Sequence, residues 1–389
     1  MKRSTDRILT THVGSLPRPE PLLKLLDAKT SGQPVSEAAW DSEVHDSVVN
    51  VVRRQSELGV DVVNDGEYGK PSFVNYINDR LGGLEARGIK GSSWRGSKEE
   101  ASFPEFYASL AKSVGGAFTA KGMYCAGPLK YVGQEAAKKE LKLFKEALGK
   151  TRPVEAFVSA LSINNASDWI TNDYYKTEEE YLTAIADAMH EEYKLIVDAG
   201  FILQVDDPQL ATIYMRKGSW SIDDYKRWAN ARVEFLNYSL RDIPTEKIRF
   251  HTCYSINIGP RIHDLELKHF LDIMLRIRAG AYSFEAANPR HEHEWKLWEG
   301  VKLPEGASIL PGVISHATIL VEHPELVAER IVRFANAVGR ENVIASADCG
   351  FASFAISKDT QEMPHEVVWE KFKSLAEGAR IASKQLWGR

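Results

Sequence analysis

Cysteine is scarce in this chain: Cys125, Cys253 and Cys349 are the only three among 389 residues. An odd, sparse set does not build a disulfide framework and suits a reducing compartment. Neither sign of charge dominates. Forty-nine basic and 54 acidic residues leave a formal net charge of -5, and no basic stripe recommends a nucleic-acid partner. Long apolar runs are missing too; none approaches the roughly 18 residues that span a bilayer. The opening stretch MKRSTDRILTTHVGS is basic but has no apolar segment of the signal-peptide kind. The expectation is a cytoplasmic protein that binds neither membrane nor nucleic acid. No linker and no internal repeat divides the chain. With 43% hydrophobic residues it is read as one domain over 1–389, a length that one α/β barrel can absorb.

What is present is an alternation. Short β-rich runs recur at 8–15, 60–67, 122–129, 154–162, 201–207, 248–255, 282–287, 310–315 and 342–350. Stretches with helical spacing lie between them. In TEEEYLTAIADAMHEEYKLIVDAG, Thr177 is placed to cap, Glu180 to close a capping box and Gly200 to stop the helix. HPELVAERIVRFANAVG has Gly339 as its stop. Repeated β–α units predict a parallel sheet closed as a (β/α)8 TIM barrel. Nine strand candidates compete for eight positions, so one is either not a strand or is an extra one. Residues 20–50 read as an N-terminal helical segment. Residues 85–120, polar and rich in Gly and Ser, read as an insertion or loop over one barrel mouth.

The unusual polar residues fall at strand ends. Ser15, Asp65, Glu67, Asp206, Asp207, His251, Cys253, Glu285, His316 and Cys349 all lie at or just beyond the C-terminal end of a predicted strand. In an α/β barrel that face carries the chemistry. HTC puts His251 and Cys253 at i and i+2, on one side of one strand. Alone, such a pair is as well read as a core cysteine beside a buried histidine. Glu285 ends YSFE and Cys349 ends VIASADC, and adjacent strand ends converge on one mouth. One imidazole, two thiolates and a carboxylate suit Zn²⁺ better than Mg²⁺ or Ca²⁺. Cys125, among small and apolar neighbours, is expected to be an inert buried thiol.

These motifs carry a resemblance. THVGSLPRP, VNDGE, QVDDP, HTCYS, FEAAN, PGVISH and ADCG, in this order, resemble the cobalamin-independent methionine synthase family, specifically its catalytic C-terminal barrel. The likeness covers nearly the whole chain. The second, N-terminal barrel of the full-length synthases has no counterpart in these residues, so the expected kin are the short single-barrel relatives. The resemblance implies zinc held by His251, Cys253, Glu285 and Cys349. It implies homocysteine bound by Val13, Gly14 and Ser15 and by two acids, Glu67 and Asp206, at its ammonium. Electrostatics agrees, because two carboxylates at neighbouring strand ends repel unless a cation lies between them. The competing reading pairs those acids with Arg18 or Lys70. Asp207 points away and is read as a helix cap.

His316 stands near the family's catalytic histidine, although a gapless reading puts that place at Ala317. It is the candidate proton shuttle on the leaving group. Trp169 lies near the place where folate-using members stack the pterin. The glycine–proline motif expected there appears only as SALSINN, so the donor is a folate, a corrinoid or another alkyl compound. His291 and His293, in NPRHEHEW, read as a solvated loop or helix start.

The leading expectation is a zinc-dependent transfer of a methyl group to a small thiol, homocysteine. The alternative is an epoxyalkane:coenzyme M transferase or 2-hydroxypropyl-coenzyme M lyase. Coenzyme M has a sulfonate and no ammonium, so it would need bases such as Arg18, Lys70 or Lys130 at the site. A barrel hydrolase prefers harder ligands than two cysteines, and nothing in the sequence points to a sensor or carrier.

Overall fold

The computed structural model describes residues 1–89, 94–113, 121–149, 151–254, 259–353 and 363–388. Eleven strands follow in chain order: β1 (Leu9–Thr10), β2 (Val62–Val63), β3 (Leu81–Ile89), β4 (Lys121–Tyr131), β5 (Glu155–Leu161), β6 (Ile170–Asn172), β7 (Ile202–Asp206), β8 (Ile248–His251), β9 (Ala281–Phe284), β10 (Ser308–Ile314) and β11 (Ile344–Ala347). Eight of them pair in parallel in the order β1-β11-β10-β9-β8-β7-β5-β2. A parallel bridge between Thr11 and Val62 brings the last strand back to the first. The result is the expected (β/α)8 barrel.

Period-two alternation decides what faces inward. On β8, Ile248 and Phe250 join the large apolar cluster between barrel and helices. Arg249 and His251 point inside. Leu9, Ala281, Leu310 and Ile344 form one apolar group and Val62, Phe157 and Ile202 another, and Met1 packs against both. Farther along the strands the interior turns polar. Arg249 donates to Thr11 Oγ1 at 3.0 Å and to the His12 carbonyl at 2.7 Å, with its guanidinium 3.9 Å from the centre of the Phe157 ring. Gln204 Nε2 donates to the Val13 carbonyl at 2.5 Å and to Asp206 Oδ1 at 2.7 Å.

The helices run α1 (Glu20–Thr30), α2 (Glu37–Glu57), α3 (Lys98–Ser102), α4 (Pro104–Ser113), α5 (Gln134–Leu148), α6 (Ile163–Trp169), α7 (Glu178–Asp198), α8 (Gln209–Arg216), α9 (Ile222–Ser239), α10 (Leu271–Met274), α11 (Pro324–Val338) and α12 (His365–Trp387). Residues 20–50 are helical, as expected. α7 starts with the capping box of Thr177 and Glu180, worth about 1 kcal/mol. α11 stops at Gly339. No described helix is long and apolar enough to cross a membrane.

The structure settles which strand candidate is extra and where the insertion runs. The ninth strand candidate, 122–129, is outside the barrel. It forms most of β4, which pairs antiparallel with β3 and parallel with β6 in a separate three-stranded sheet. The insertion expected over 85–120 begins earlier and is not a loop. It opens inside β3, carries α3 and α4, and ends at β4. The glycines and charges of LGGLEARGI mask a strand whose partner lies some forty residues on. Cys125 on β4 is buried and its thiol donates to the Gly127 carbonyl at 3.3 Å, in keeping with an inert thiol.

Candidate metal and thiol site

The C-terminal ends of the barrel strands surround a pocket with about 420 Å³ of empty space. Val13, Ser15, Glu67, Asp206, His251, Cys253 and Cys349 all line it. Seven residues spread over more than 330 positions thus meet in one cavity. Phe73, Pro208, Gly350 and Ser353 complete the wall, and none of these four was marked by the sequence.

Each side chain is set by its local backbone. β8 delivers His251, and Thr252 N–H bonds to the Ser283 carbonyl at 3.0 Å as the sheet ends. Cys253 therefore emerges just past the last paired residue. His251 Nδ1 meets Ser283 Oγ at 3.2 Å. Its Nε2 is buried without a hydrogen-bond partner among the described residues. Burial first, then the charges of Arg249 and His316, lower its pKa to about 3. The imidazole is neutral at pH 7, with a lone pair to give. The sulfurs of Cys253 and Cys349 are 3.1 Å apart. The hydrogen bond it donates to Cys253 and burial push the Cys349 thiol well above its ordinary range. Potential ligand atoms of His251, Cys253 and Cys349 all lie within 4.8 Å of one another. A buried, neutral, unpaired imidazole nitrogen beside two close sulfurs is a donor set that fits Zn²⁺.

Glu285 is differently placed. Its ligand atom lies within 4.8 Å of those of His316 and Asp348, in a second buried group. Its Oε1 accepts from Tyr254 N–H at 2.7 Å and its Oε2 from Asn288 Nδ2 at 3.0 Å. Asp348 Oδ1 accepts from the main-chain amides of Ala286 and Ala287, each at 2.8 Å. Burial, then the charge of Glu285, raise the Asp348 carboxyl above the usual range. Gly312 makes room for it, since a Cβ there would lie 2.5 Å from Asp348 Cα. His316 is buried in this second group and does not line the pocket. Asp348 escaped the sequence reading because alternation turns it away from Cys349.

The same pocket carries the two acids, Asp206 beside His251 on the neighbouring strand. Glu67 follows Gly66 in a turn where both have positive φ, 60° and 73°. A non-glycine residue there stores about 1 kcal/mol or more and is favoured only where the surroundings hold it. Gly14, at φ 127°, is bare for a reason: a Cβ would come within 2.6 Å of Ser159 Oγ and 3.0 Å of Glu67 Oε1. Burial raises the Glu67 carboxyl despite the Lys70 ammonium nearby. Burial and the charge of Glu67 push Asp206 well above the usual range. Glu67 Oε2 and Ser15 Oγ are buried with no hydrogen-bond partner among the described residues.

The bases to watch are engaged elsewhere. Arg18 donates to the carbonyls of Ala352, Glu67 and Lys70. The Lys70 ammonium donates to the Ser159 carbonyl at 2.5 Å and lies 4.3 Å from the centre of the Tyr76 ring. Lys130 is exposed on β4. No lysine or arginine is among the described residues lining the pocket.

Three other expectations meet the structure here. Asp207 accepts from Asn164 Nδ2 at 2.6 Å and from Leu210 N–H at 3.3 Å, a cap on the start of α8. Trp169 ends α6 outside the pocket, packs on the apolar core and donates to Asn78 Oδ1 at 3.1 Å. His291 is not solvated as expected. It is buried and bonds to Glu294 at 3.0 Å and Asp264 at 3.3 Å, while His293 is exposed.

Comparison with known proteins gives the same direction. A protein-family model described as the catalytic domain of cobalamin-independent synthase matches residues 8–106 and 161–368. A protein named methionine synthase from Sulfolobus acidocaldarius is 24% identical over 382 residues, covering 97% of this chain and 93% of that protein. Another of that name from Thermococcus kodakarensis is 22% identical over 378 residues, covering 97% and 94%. The structure of a B12-independent methionine synthase from Shewanella sp. W3-18-1 in complex with selenomethionine superimposes with a TM-score of 0.72, at 21% identity, over 98% of this chain and 100% of that one. With the family model matched over well more than half its length, this chain belongs to the cobalamin-independent synthase catalytic-domain family.

Proposed function

We propose that this chain is a zinc-dependent S-methyltransferase that transfers a methyl group from an alkyl donor to homocysteine, giving methionine. The carrying observation is one pocket that holds a soft donor set together with two buried carboxylates, Glu67 and Asp206. The names of the relatives agree with it.

His251, Cys253, Glu285 and Cys349 would hold the metal. Zinc, when bound, supplies the positive charge that ionises a substrate thiol near pH 7. The remaining work falls to the chain. Ser283 orients the His251 ring, and burial keeps it neutral. Glu67 and Asp206 take the substrate ammonium, whose charge offsets the burial that raises both acids and the repulsion of Asp206 by Glu67. Ser15 Oγ offers a hydrogen bond to the amino-acid carboxylate, beside the backbone of Val13 and Gly14. Phe73 and Pro208 keep water from the sulfur. His316 is the candidate shuttle for the leaving-group proton, although it sits beside Glu285 and Asp348 and outside the pocket lining.

The pocket disfavours coenzyme M. A sulfonate would face two carboxylates with no lysine or arginine in the described lining. Calorimetric titration of the zinc-loaded protein tests this. Homocysteine should bind with release of a proton, and coenzyme M about 30-fold or more weaker. Equal affinity for the two thiols would overturn the homocysteine reading.

A further inference from the structure

The segment between β3 and β4 is tied across the barrel mouth by α3. Glu99 on α3 is fully buried. Its carboxylate accepts from Ile262 N–H at 3.0 and 3.1 Å and from His263 N–H at 2.7 Å. Ser102 Oγ meets His263 Nε2 at 2.7 Å. On the other side, Lys98 donates to the carbonyls of Gly218 at 2.9 Å and Trp220 at 3.0 Å, beyond α8. The insertion therefore bridges the segments that follow β7 and β8. A carboxylate taken out of water and given to two main-chain amides is costly unless those bonds hold, and charge-assisted bonds of this kind fix the backbone they reach.

The fixed backbone leads to the metal ligands. Arg261 immediately precedes the clamped amides and its side chain is nearly buried. Its Nη1 donates to the Tyr254 carbonyl. Burial works against the Arg261 charge, but Glu285 and Asp264 outweigh it and hold the guanidinium firmly protonated. Tyr254 directly follows Cys253, and its N–H donates to Glu285 Oε1 at 2.7 Å. Cys253 stands beyond the last residue of β8, so the sheet does not hold it. The main chain of the next residue is held by Arg261 at its carbonyl and by Glu285 at its N–H.

We propose that Glu99 is a positioning residue for the metal centre: through the 259–264 loop, Arg261 and the Tyr254 peptide, it fixes where the Cys253 thiol and the Glu285 carboxylate are presented. The inference rests on the zinc reading above. A simple staple for the insertion would affect stability alone. A positioning role also affects the metal, because groups behind metal ligands commonly govern affinity by 10- to 100-fold.

The test uses the full chain loaded with cobalt(II) for absorption spectra and with zinc for chelator competition. Glu99→Ala should weaken zinc binding about tenfold and change the cobalt spectrum. Glu99→Gln, which keeps an oxygen acceptor, should recover most of both. Arg261→Lys breaks the chain at its second link and should reproduce the alanine spectrum. Lys98→Met loosens the other anchor of the insertion and should lower the melting temperature only, with the parental spectrum. If Glu99→Ala does not fold, Glu99→Gln and Arg261→Lys carry the same readout. Parental affinity and spectrum in the folded Glu99 and Arg261 variants would overturn the inference while leaving zinc in place. A parent protein that takes up no metal would instead overturn the zinc reading, and this inference with it.

Discussion

His291 offers a sharp test of how the region behind the site is held. Its ring stacks on Tyr254 at 3.7 Å and 7°, and it bonds to Asp264 and Glu294. Burial alone would lower its pKa. The hydrogen bonds and charges of the two acids win, and the imidazole rises to about 9. Arg290 at 2.9 Å and Arg261 at 3.9 Å also face Asp264, so the acids are shared among three cations. A histidine ordinarily titrates near 6.5. Raising it to about 9 corresponds to about 3 kcal/mol, at roughly 1.4 kcal/mol per tenfold. The sign follows from which state binds the proton. Below about 6.5 both states are protonated and the stabilisation is complete. As pH rises toward 9 the unfolded chain has lost the proton that the folded chain keeps, and the stabilisation drains away. Urea unfolding of the metal-free protein should be run from pH 6 to 10, with His291→Gln in parallel. The difference between parent and variant should shrink by about 3 kcal/mol over that window. A difference that does not change with pH would refute a charged His291 and the pairing built on it.

Other expectations concern the pocket itself. Cys253→Ser and Cys349→Ser should each lose stoichiometric zinc while far-ultraviolet dichroism stays parental; retention of one equivalent in both would remove them from the ligand set. Glu67→Gln should weaken homocysteine binding by about 2 kcal/mol or more, since it leaves the ammonium with one acid, and should spare zinc affinity. Unchanged calorimetric affinity would take Glu67 out of the substrate site. Gly312→Ala forces a methyl group against Asp348 and should cost about 1–3 kcal/mol in chemical denaturation; a neutral result would show that Asp348 is free to move.

Much of the site was legible because barrel topology converts sequence position into place. Once strands alternate with helices, their C-terminal ends must share one mouth. That logic brought His251, Cys253 and Cys349 together with Glu67 and Asp206 from the residues alone. It failed for 122–129, because strand propensity says nothing about which sheet a strand joins. The partners of that segment, at 81–89 and 170–172, are visible only after folding. It failed again at His291. Charged neighbours in NPRHEHEW look solvated, yet Asp264, 27 residues earlier, reaches back to bury one of them.

The sequence by itself determined the barrel and the strand-end chemistry, because periodicity and residue type act locally and the closed sheet does the rest; the choice of Glu67 and Asp206 among the strand-end acids came from the family resemblance. Only the tertiary structure decided which neighbours each group has. It set Glu285 beside Asp348 and His316, left the described pocket lining without lysine or arginine, and ran a buried carboxylate from the insertion to the loop behind Cys253. Those outcomes depend on contacts between segments far apart in the chain, whose geometry no local pattern encodes.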